Sequence, residues 1–430
     1  MEGIEIFTIV QIAIFCIGYL AIIFEFSIKV NKTAVALALA VLCWLAFFLT
    51  GRHDFFENPA TLASNIAHLN KDLSDVSQIL FFLLGAMTLV EIIDAHKGFN
   101  TVIRLLHTQS KRKMLVIISI VTFILSAVLD NLTTTILMIS ILRKLVPYKK
   151  DRILLLCMVV IAANAGGAWT PIGDVTTTML WINGQVTTLK VMSELFLPSV
   201  CAMGVPLLIY SFMMKGKFSA PAVDLSKEQI EPGAKIVFTV GISALIFVPI
   251  FKWLTGMPPF MGMLIALAVL WLVTDVLHHK YEQREHLRVP HILTKIDVAS
   301  ILFFLGILLS VHSLQAAGLL DHVAKWMDYH LRSQALIATL IGLFSAVIDN
   351  VPLVAATMGM YDLTTYPTDS ALWIMIAYAA GTGGSILIIG SSSGVAMMGL
   401  EKVDFFTYMK KAALPALAGY LVGMGVYLIL

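Results

Sequence analysis

The sequence predicts an all-α polytopic membrane protein with two inverted-topology repeats. About ten transmembrane helices are expected, plus two re-entrant hairpins, with discontinuous helices at the midplane. Three observations carry this prediction. Hydrophobic residues make up 59% of the chain and charged residues 13%, against roughly 25% charged in soluble domains. Apolar stretches of about 20 residues, enough to cross a ~30 Å hydrocarbon core, recur from end to end. One short motif also returns almost unchanged, as Ser126-Ala-Val-Leu-Asp-Asn131 and Ser345-Ala-Val-Ile-Asp-Asn350.

Backbone polar groups in lipid must be satisfied within their own element, so the spans should be helices. They are placed at 4–24, 33–50, 77–94, 153–183, 195–214, 234–253, 259–278, 297–317, 371–400 and 411–430. The first apolar run lacks a basic leader and a small-residue cleavage site, so it is expected to be a retained span. Stretches 114–142 and 335–361 each hold an Asp-Asn pair near the middle and are read as hairpins. Basic residues decide the point, because Lys and Arg accumulate in cytoplasmic loops. If 114–142 crossed the membrane, Lys111, Arg112 and Lys113 would face away from Arg143, Lys144, Lys149, Lys150 and Arg152. The loop Tyr361–Ser370 has no Lys or Arg and is expected outside. This pattern implies a multi-pass protein of the inner (plasma) membrane, with both termini outside the cytoplasm. Segments 99–108 and 318–331 are expected to be amphipathic interfacial helices.

The repeat extends beyond the hairpin tips. Asn164-Ala-Gly-Gly-Ala-Trp-Thr-Pro-Ile-Gly173 follows the first tip and Gly381-Thr-Gly-Gly-Ser-Ile-Leu-Ile-Ile-Gly390 the second. Upstream, Phe81-Phe-Leu-Leu-Gly85 matches Phe303-Phe-Leu-Gly306. An odd number of spans per half inverts the second half, and the site of such a repeat lies near the midplane. The expected division is a first repeat at 1–217 with a cytoplasm-facing hairpin, a cytoplasmic linker at 218–233, and an inverted repeat at 234–430 with an outward-facing hairpin.

Ionisable groups at membrane depth are costly and mark functional candidates. Here they are Glu91, Asp130, Asp174, Asp349 and His312. Asp130-Asn131 and Asp349-Asn350 occupy the tips, where Asp and Asn are also favoured helix caps; a carboxylate has lone pairs for both roles. Asp174 follows Asn164, Gly166, Gly167, Pro171 and Gly173, poor residues for a continuous helix. Span 153–183 is therefore read as two half-helices, with Thr176 and Thr177 opening the second. The other break offers Thr382, Ser385 and Ser391, with Ser391 aligned to Asp174, although hydroxyls beside glycines equally serve close helix packing. The site is thus asymmetric, with two acids from the first half and one from the second. Carboxylate, amide and hydroxyl oxygens suit a hard cation, with Asp130, Asp174 and Asp349 as the ligands for Na+. A carboxylate buried near other carboxylates holds its proton more firmly, so proton and cation compete for one site.

Other classes lack support. A net charge of +2 gives no case for nucleic acid. The four cysteines stand singly, with no zinc or disulfide pattern. No HExxH, GxSxG or nucleotide-binding loop is present, so neither an enzyme nor a cofactor is expected.

The paired Ser-Ala-Val-(Leu/Ile)-Asp-Asn tips, the stretch from Gly166 to Thr178 and the Gly381-Thr-Gly-Gly-Ser385 segment resemble the NhaD type of sodium/proton antiporter. That type belongs to the ion transporter superfamily, and the resemblance runs from about residue 30 to the C-terminus. It implies paired hairpins, export of Na+ or Li+, a part in pH homeostasis and a homodimer. It also implies roles for Ser126, Asp130, Asn131, Asn164, Asp174, Thr176, Thr177, Ser345, Asp349 and Asn350. The superfamily's dicarboxylate carriers have Ser-Asn-Thr at the tip, and Asp in that place would repel an anion. The expected function is secondary active exchange of cytoplasmic Na+ (or Li+) for external H+ by alternating access. The alternatives are an anion or arsenite exporter, or a sodium-coupled carboxylate transporter, on the same scaffold.

Overall fold

The structure, a computed structural model, describes residues 6–50, 59–99, 108–146, 148–218 and 231–430. Among these the chain is helical, and the only extended pairing is an isolated bridge between Ser110 and Lys217. Eight helices are long and apolar enough to cross a membrane: Lys32–Leu49, Leu62–Ala95, Lys149–Ala168, Thr188–Met213, Ala234–Thr255, Pro259–His278, Val298–Ala316 and Phe405–Ile429. The spans expected at 4–24 and 371–400 contain the shorter apolar helices Thr8–Ile23 and Ala371–Gly383.

One element differs in extent from the sequence reading and another matches it. The span expected at 77–94 is the end of a helix, Pro59–Ala95, of 37 residues, about 55 Å at 1.5 Å per residue. Its polar first half lies between the spans expected at 33–50 and 77–94. Hydropathy marks the part of a helix that sits in lipid and is blind to a polar extension beyond it. The amphipathic segment at 318–331 forms the helix Leu319–Leu331, which buries Leu320 and Ala324 and exposes Trp326 and Tyr329. The other amphipathic segment, 99–108, and the linker 218–233 lie mostly outside the described residues.

The stretches 114–142 and 335–361 each form a pair of short helices. The first pair is Lys111–Ser126 and Asn131–Leu145, the second Gln334–Ser345 and Asn350–Met360. At 11 to 16 residues per arm, each falls short of a ~30 Å core. The first pair enters and leaves at one end of the bundle. Lys111 Nζ lies 2.7 Å from Asp151 Oδ1, and the Lys111 N–H donates to the Gly216 carbonyl at 3.1 Å. The second pair closes at the other end. There Tyr361 Oη donates to Asp328 Oδ1 at 3.1 Å, and the Asp369 N–H donates to the Gln185 carbonyl at 2.8 Å. Gln185 follows the helix that began at Lys149 and crossed the bundle, so the two hairpins open at opposite ends.

The same contacts seat both hairpins. Ser126 Oγ donates to the Ala163 carbonyl at 2.6 Å, and Ser345 Oγ donates to the Ala380 carbonyl at 2.9 Å. Gly166 lies against the Phe123 carbonyl and Gly383 against the Gly342 carbonyl, in both places too close for a Cβ. The repeated letters in the sequence therefore correspond to a repeated contact, in which a hairpin arm packs backbone to backbone on a broken helix.

A buried carboxylate, Glu401, ties the two halves through two arginines at the end where the first hairpin opens. Glu401 accepts from Arg143 Nε at 2.5 Å and from Arg152 Nη2 at 3.0 Å. Arg143 also donates to the Leu400 carbonyl. Burial pushes the Glu401 carboxyl up, but hydrogen bonds and charge from both arginines outweigh it and hold it below the usual range. A carboxyl depressed in the folded state stabilises above its unfolded value and loses that contribution as pH falls through the folded one. The melting temperature of the purified protein should therefore drop on acidification below about pH 5. Glu401→Gln should destabilise by about 2–3 kcal/mol, since it leaves two arginines short of their partner, and should blunt that acid limb. An unchanged melt for Glu401→Gln would show that the cluster adds nothing to stability.

Candidate functional site

Both crossing helices break where the glycine-rich segments predict. The first runs Lys149–Ala168, opens, and resumes as Val175–Ile182; the second runs Ala371–Gly383 and resumes as Ser392–Glu401. Each resumed half needs a cap for its unpaired N–H groups. Asp174 caps the first, accepting from Thr176 N at 3.1 Å. Ser391 caps the second, accepting from Gly394 N at 3.3 Å. The hairpin tips do the same. Asp130 accepts from Thr133 N and Thr133 Oγ1 at 2.8 and 2.7 Å, and Asp349 accepts from Val351 N at 3.2 Å. All three acids thus sit at helix N-termini, where the aligned peptide dipoles favour negative charge.

The two tips are not equivalent in backbone. Asp130 adopts φ 133°, ψ 160°, a region occupied almost only by glycine and costing roughly 1–3 kcal/mol. Asp349, at φ −49°, is unstrained.

These groups converge on Asp174, which is 1% exposed. Asn131 Nδ2, from the first tip, donates to Asp174 Oδ2 at 3.1 Å and to Asn164 Oδ1 at 3.0 Å. Asn350 Nδ2, from the second tip, faces both Asp174 oxygens at 3.5 Å. Asn164 Nδ2 donates to Ser391 Oγ at 2.9 Å. Gly381, the repeat counterpart of Asn164, stands so close to Asp174 Oδ2 that a Cβ would lie 3.2 Å from it. One carboxylate is therefore held by amides from both hairpins and connected through Asn164 to the opposite break.

Asp130, Asn131, Asp174, Asp349 and Asn350 all line one cavity of about 390 Å³. Ile136, Gly399 and Leu400 form its wall toward the end where the first hairpin opens. The three acids share this cavity without forming a tight cluster: among the described residues no three Asp, Glu, His or Cys side chains are grouped as a metal site.

Several predicted site residues lie outside the cavity wall. The hydroxyls of Ser126 and Ser345 are engaged by the carbonyls that seat the hairpins. Thr382 Oγ1 donates to the Tyr378 carbonyl at 2.6 Å and Ser385 Oγ to the Thr382 carbonyl at 2.7 Å. Thr177 Oγ1 donates to the Ala168 carbonyl at 3.4 Å. Glu91 is absent from the wall, and His312 Nδ1 lies 3.5 Å from Asp72.

Other residues enter that the sequence did not single out as ligands. Ser392 Oγ donates to Asn131 Oδ1 at 3.2 Å, and Ser393 Oγ to Asn164 Oδ1 at 3.3 Å. Lys32, Thr178, Asp297 and Ser300 line the cavity. The serine run was visible as a counterpart to Asp174. Lys32 had no such signal, because it stands where an apolar run begins and reads as a loop residue.

Two oxygen-rich helix breaks facing two hairpin tips inside a bundle of apolar helices define a membrane transporter. Residues 19–367 match the citrate transporter family. The chain is 52% identical over 417 residues to Sodium/proton antiporter 1 of Arabidopsis thaliana, covering 96% of this chain and 71% of that one. It is 50% identical to Sodium/proton antiporter 2 of the same plant, over 96% and 98% of the two chains. It is 28% identical to the Na(+)/H(+) antiporter NhaD of Vibrio cholerae, over 97% and 90%. Among solved structures, the YdaH transporter of Alcanivorax borkumensis, described as having an unusual topology, matches with a TM-score of 0.59 at 10% identity. That match covers 93% of this chain and 98% of the other and concerns the fold alone. The chain belongs to the citrate transporter family and, within it, to the NhaD-type sodium/proton antiporters.

Proposed function

We propose that this protein is a secondary active transporter that exchanges cytoplasmic Na+ (or Li+) for external H+ by alternating access. In this reading cation and proton compete for Asp130, Asp174 and Asp349, with Asn131, Asn164, Asn350 and the serines of the second break completing the oxygen shell. The observation that carries it is the position of Asp174, a buried carboxylate held at once by amides from both hairpin tips. A cation bound there would register the position of both halves, which is what coupled alternation requires. The names of the relatives supply the ion pair. Four acids against a single lysine in one cavity disfavour citrate and other anions, which would meet an excess of negative charge. The protein acts as a homodimer of two-repeat chains, 1–217 and 234–430, joined by a cytoplasmic linker.

The direct test is Na+-driven proton movement in proteoliposomes containing only this chain, with labelled dicarboxylate uptake measured alongside. Proton movement with Na+ and no dicarboxylate uptake is the expected result; the reverse would turn the assignment toward carboxylate transport.

Sidedness is tested separately. Single cysteines at positions 111 and 149 should be shielded from an impermeant reagent added outside cells, whereas one at Leu363, 39% exposed in the opposite loop, should label. Outside labelling at 111 or 149 would reverse the orientation or break the hairpin reading.

A further inference from the structure

One charged side chain lining the cavity has no part in the exchange described above. Lys32 opens the helix Lys32–Thr50 and is the one basic residue in the cavity wall among the described residues. It also lines a smaller adjoining cavity of about 40 Å³, together with Tyr19, Glu25 and Asp349. Lys32 and Asp349 therefore stand in the walls of both spaces. The ammonium sits over the Phe303 ring, 4.6 Å from its centroid. Among the described residues it forms no ion pair, and Asp349 is the acid that shares both cavity walls with it. Four other acids face these spaces, Asp174 among them. The Glu25 carboxylate accepts from the Lys32 backbone N–H at 3.3 Å, and Asp130 and Asp297 line the wider cavity.

An ammonium taken from bulk water beside lipid-buried walls needs compensation. The aromatic face supplies part of it, and a flexible four-carbon stem lets the charge move by several ångströms. The nearby carboxylates supply the rest only when no other cation holds them.

We propose that Lys32 is a specificity-determining residue of the cation site: its ammonium is the resident countercharge of Asp349, and Na+ must displace it to bind. The inference rests on the antiport reading. From its place over Phe303, Lys32 offsets the Asp349 charge across the shared cavity; Na+ that enters takes over that role. A carboxylate relieved of this rival binds both Na+ and protons more tightly. Lys32→Gln and Lys32→Met should therefore lower the apparent Na+ constant at alkaline pH and move the rise of exchange to higher pH. Each effect should be roughly tenfold, or about one pH unit, the size expected for one charge a few ångströms away at an effective dielectric constant between those of protein and water. Lys32→Arg keeps the charge and should stay near wild type.

The experiment measures Na+-driven proton movement in proteoliposomes across several pH values for wild type, Lys32→Gln, Lys32→Met and Lys32→Arg. Lys32→His supplies the same contrast within one protein, and it carries the test if the neutral variants do not insert. Its Na+ constant should match wild type at acidic pH, where the imidazole is charged, and become tighter than wild type at alkaline pH. Wild-type constants and profiles in the neutral variants, or a His variant that tracks wild type throughout, would overturn the role of Lys32. So would a shift in Lys32→Arg as large as in Lys32→Gln. Failure of the wild-type protein to move protons in response to Na+ would instead sink the antiport reading itself.

Discussion

Asp174→Asn is expected to abolish Na+-driven proton movement while leaving the protein folded and inserted. Asn is the same size, and its one carbonyl oxygen can still accept from Thr176 N at the cap, while its NH2 takes the place of the oxygen that faces Asn131 Nδ2; what disappears is the charge, the titratable proton and one acceptor. Loss of a charge-assisted ligand costs roughly 3 kcal/mol, about a hundredfold in cation affinity. Loss of the exchangeable proton removes the coupling altogether. Asp130→Asn and Asp349→Asn should behave alike. Asp130→Gly separates cap from charge: glycine accepts the strained backbone at that tip, relieving roughly 1–3 kcal/mol, and is itself a tolerable cap. That variant should melt no lower than wild type and still fail to exchange. Glu194→Gln, at a surface pair with Lys190, is the matched control and should exchange normally. Wild-type exchange in a well-folded Asp174→Asn protein would remove that residue from the site.

The apparent Na+ constant should fall as pH rises until the acids are ionised, and then level. Protons occupy the shared carboxylates when they are abundant, so Na+ binds weakly at low pH. Beyond full ionisation, scarcity of protons limits the return step and turnover falls. The exchange rate should thus follow a bell whose limbs belong to the coupled group of acids and to no single residue. Measuring the constant in proteoliposomes across the pH range where exchange switches on decides the matter. A constant that stays flat over that range would defeat competition for one site and point to a separate sensor. The hydrogen-bonded pair of buried histidines, His96 and His278 at 2.9 Å, and the pair of His312 with Asp72 would then be the places to look.

Much of this architecture was legible because membrane chains obey few rules. Hydropathy located the apolar helices, and glycine marked both breaks, joined by Pro171 at the first. The acids at the tips and at the first break stood out because ionisable groups at that depth are rare. The limits were equally physical. Helix Pro59–Ala95 continues through a polar half that hydropathy cannot see. Ser126 and Ser345 carry the most conspicuous repeat signal, yet their hydroxyls seat hairpins on broken helices. Thr382 and Ser385 donate to their own helix's carbonyls, as hydroxyls in apolar surroundings commonly do.

The sequence by itself determined what kinds of groups reside at membrane depth and in what order, because the cost of burying charge and the breaking of helices by glycine and proline are local properties of the chain. Only the tertiary structure decided which of them meet. That Asp174 receives amides from both tips, that Asn164 reaches Ser391 in the other half, and that Lys32 enters the cavity wall beside Asp349 are contacts between residues far apart in the chain. They depend on the close approach of backbones at Gly166 and Gly383 and on the opposite openings of the two hairpins, and spacing along one strand of sequence does not encode such distances.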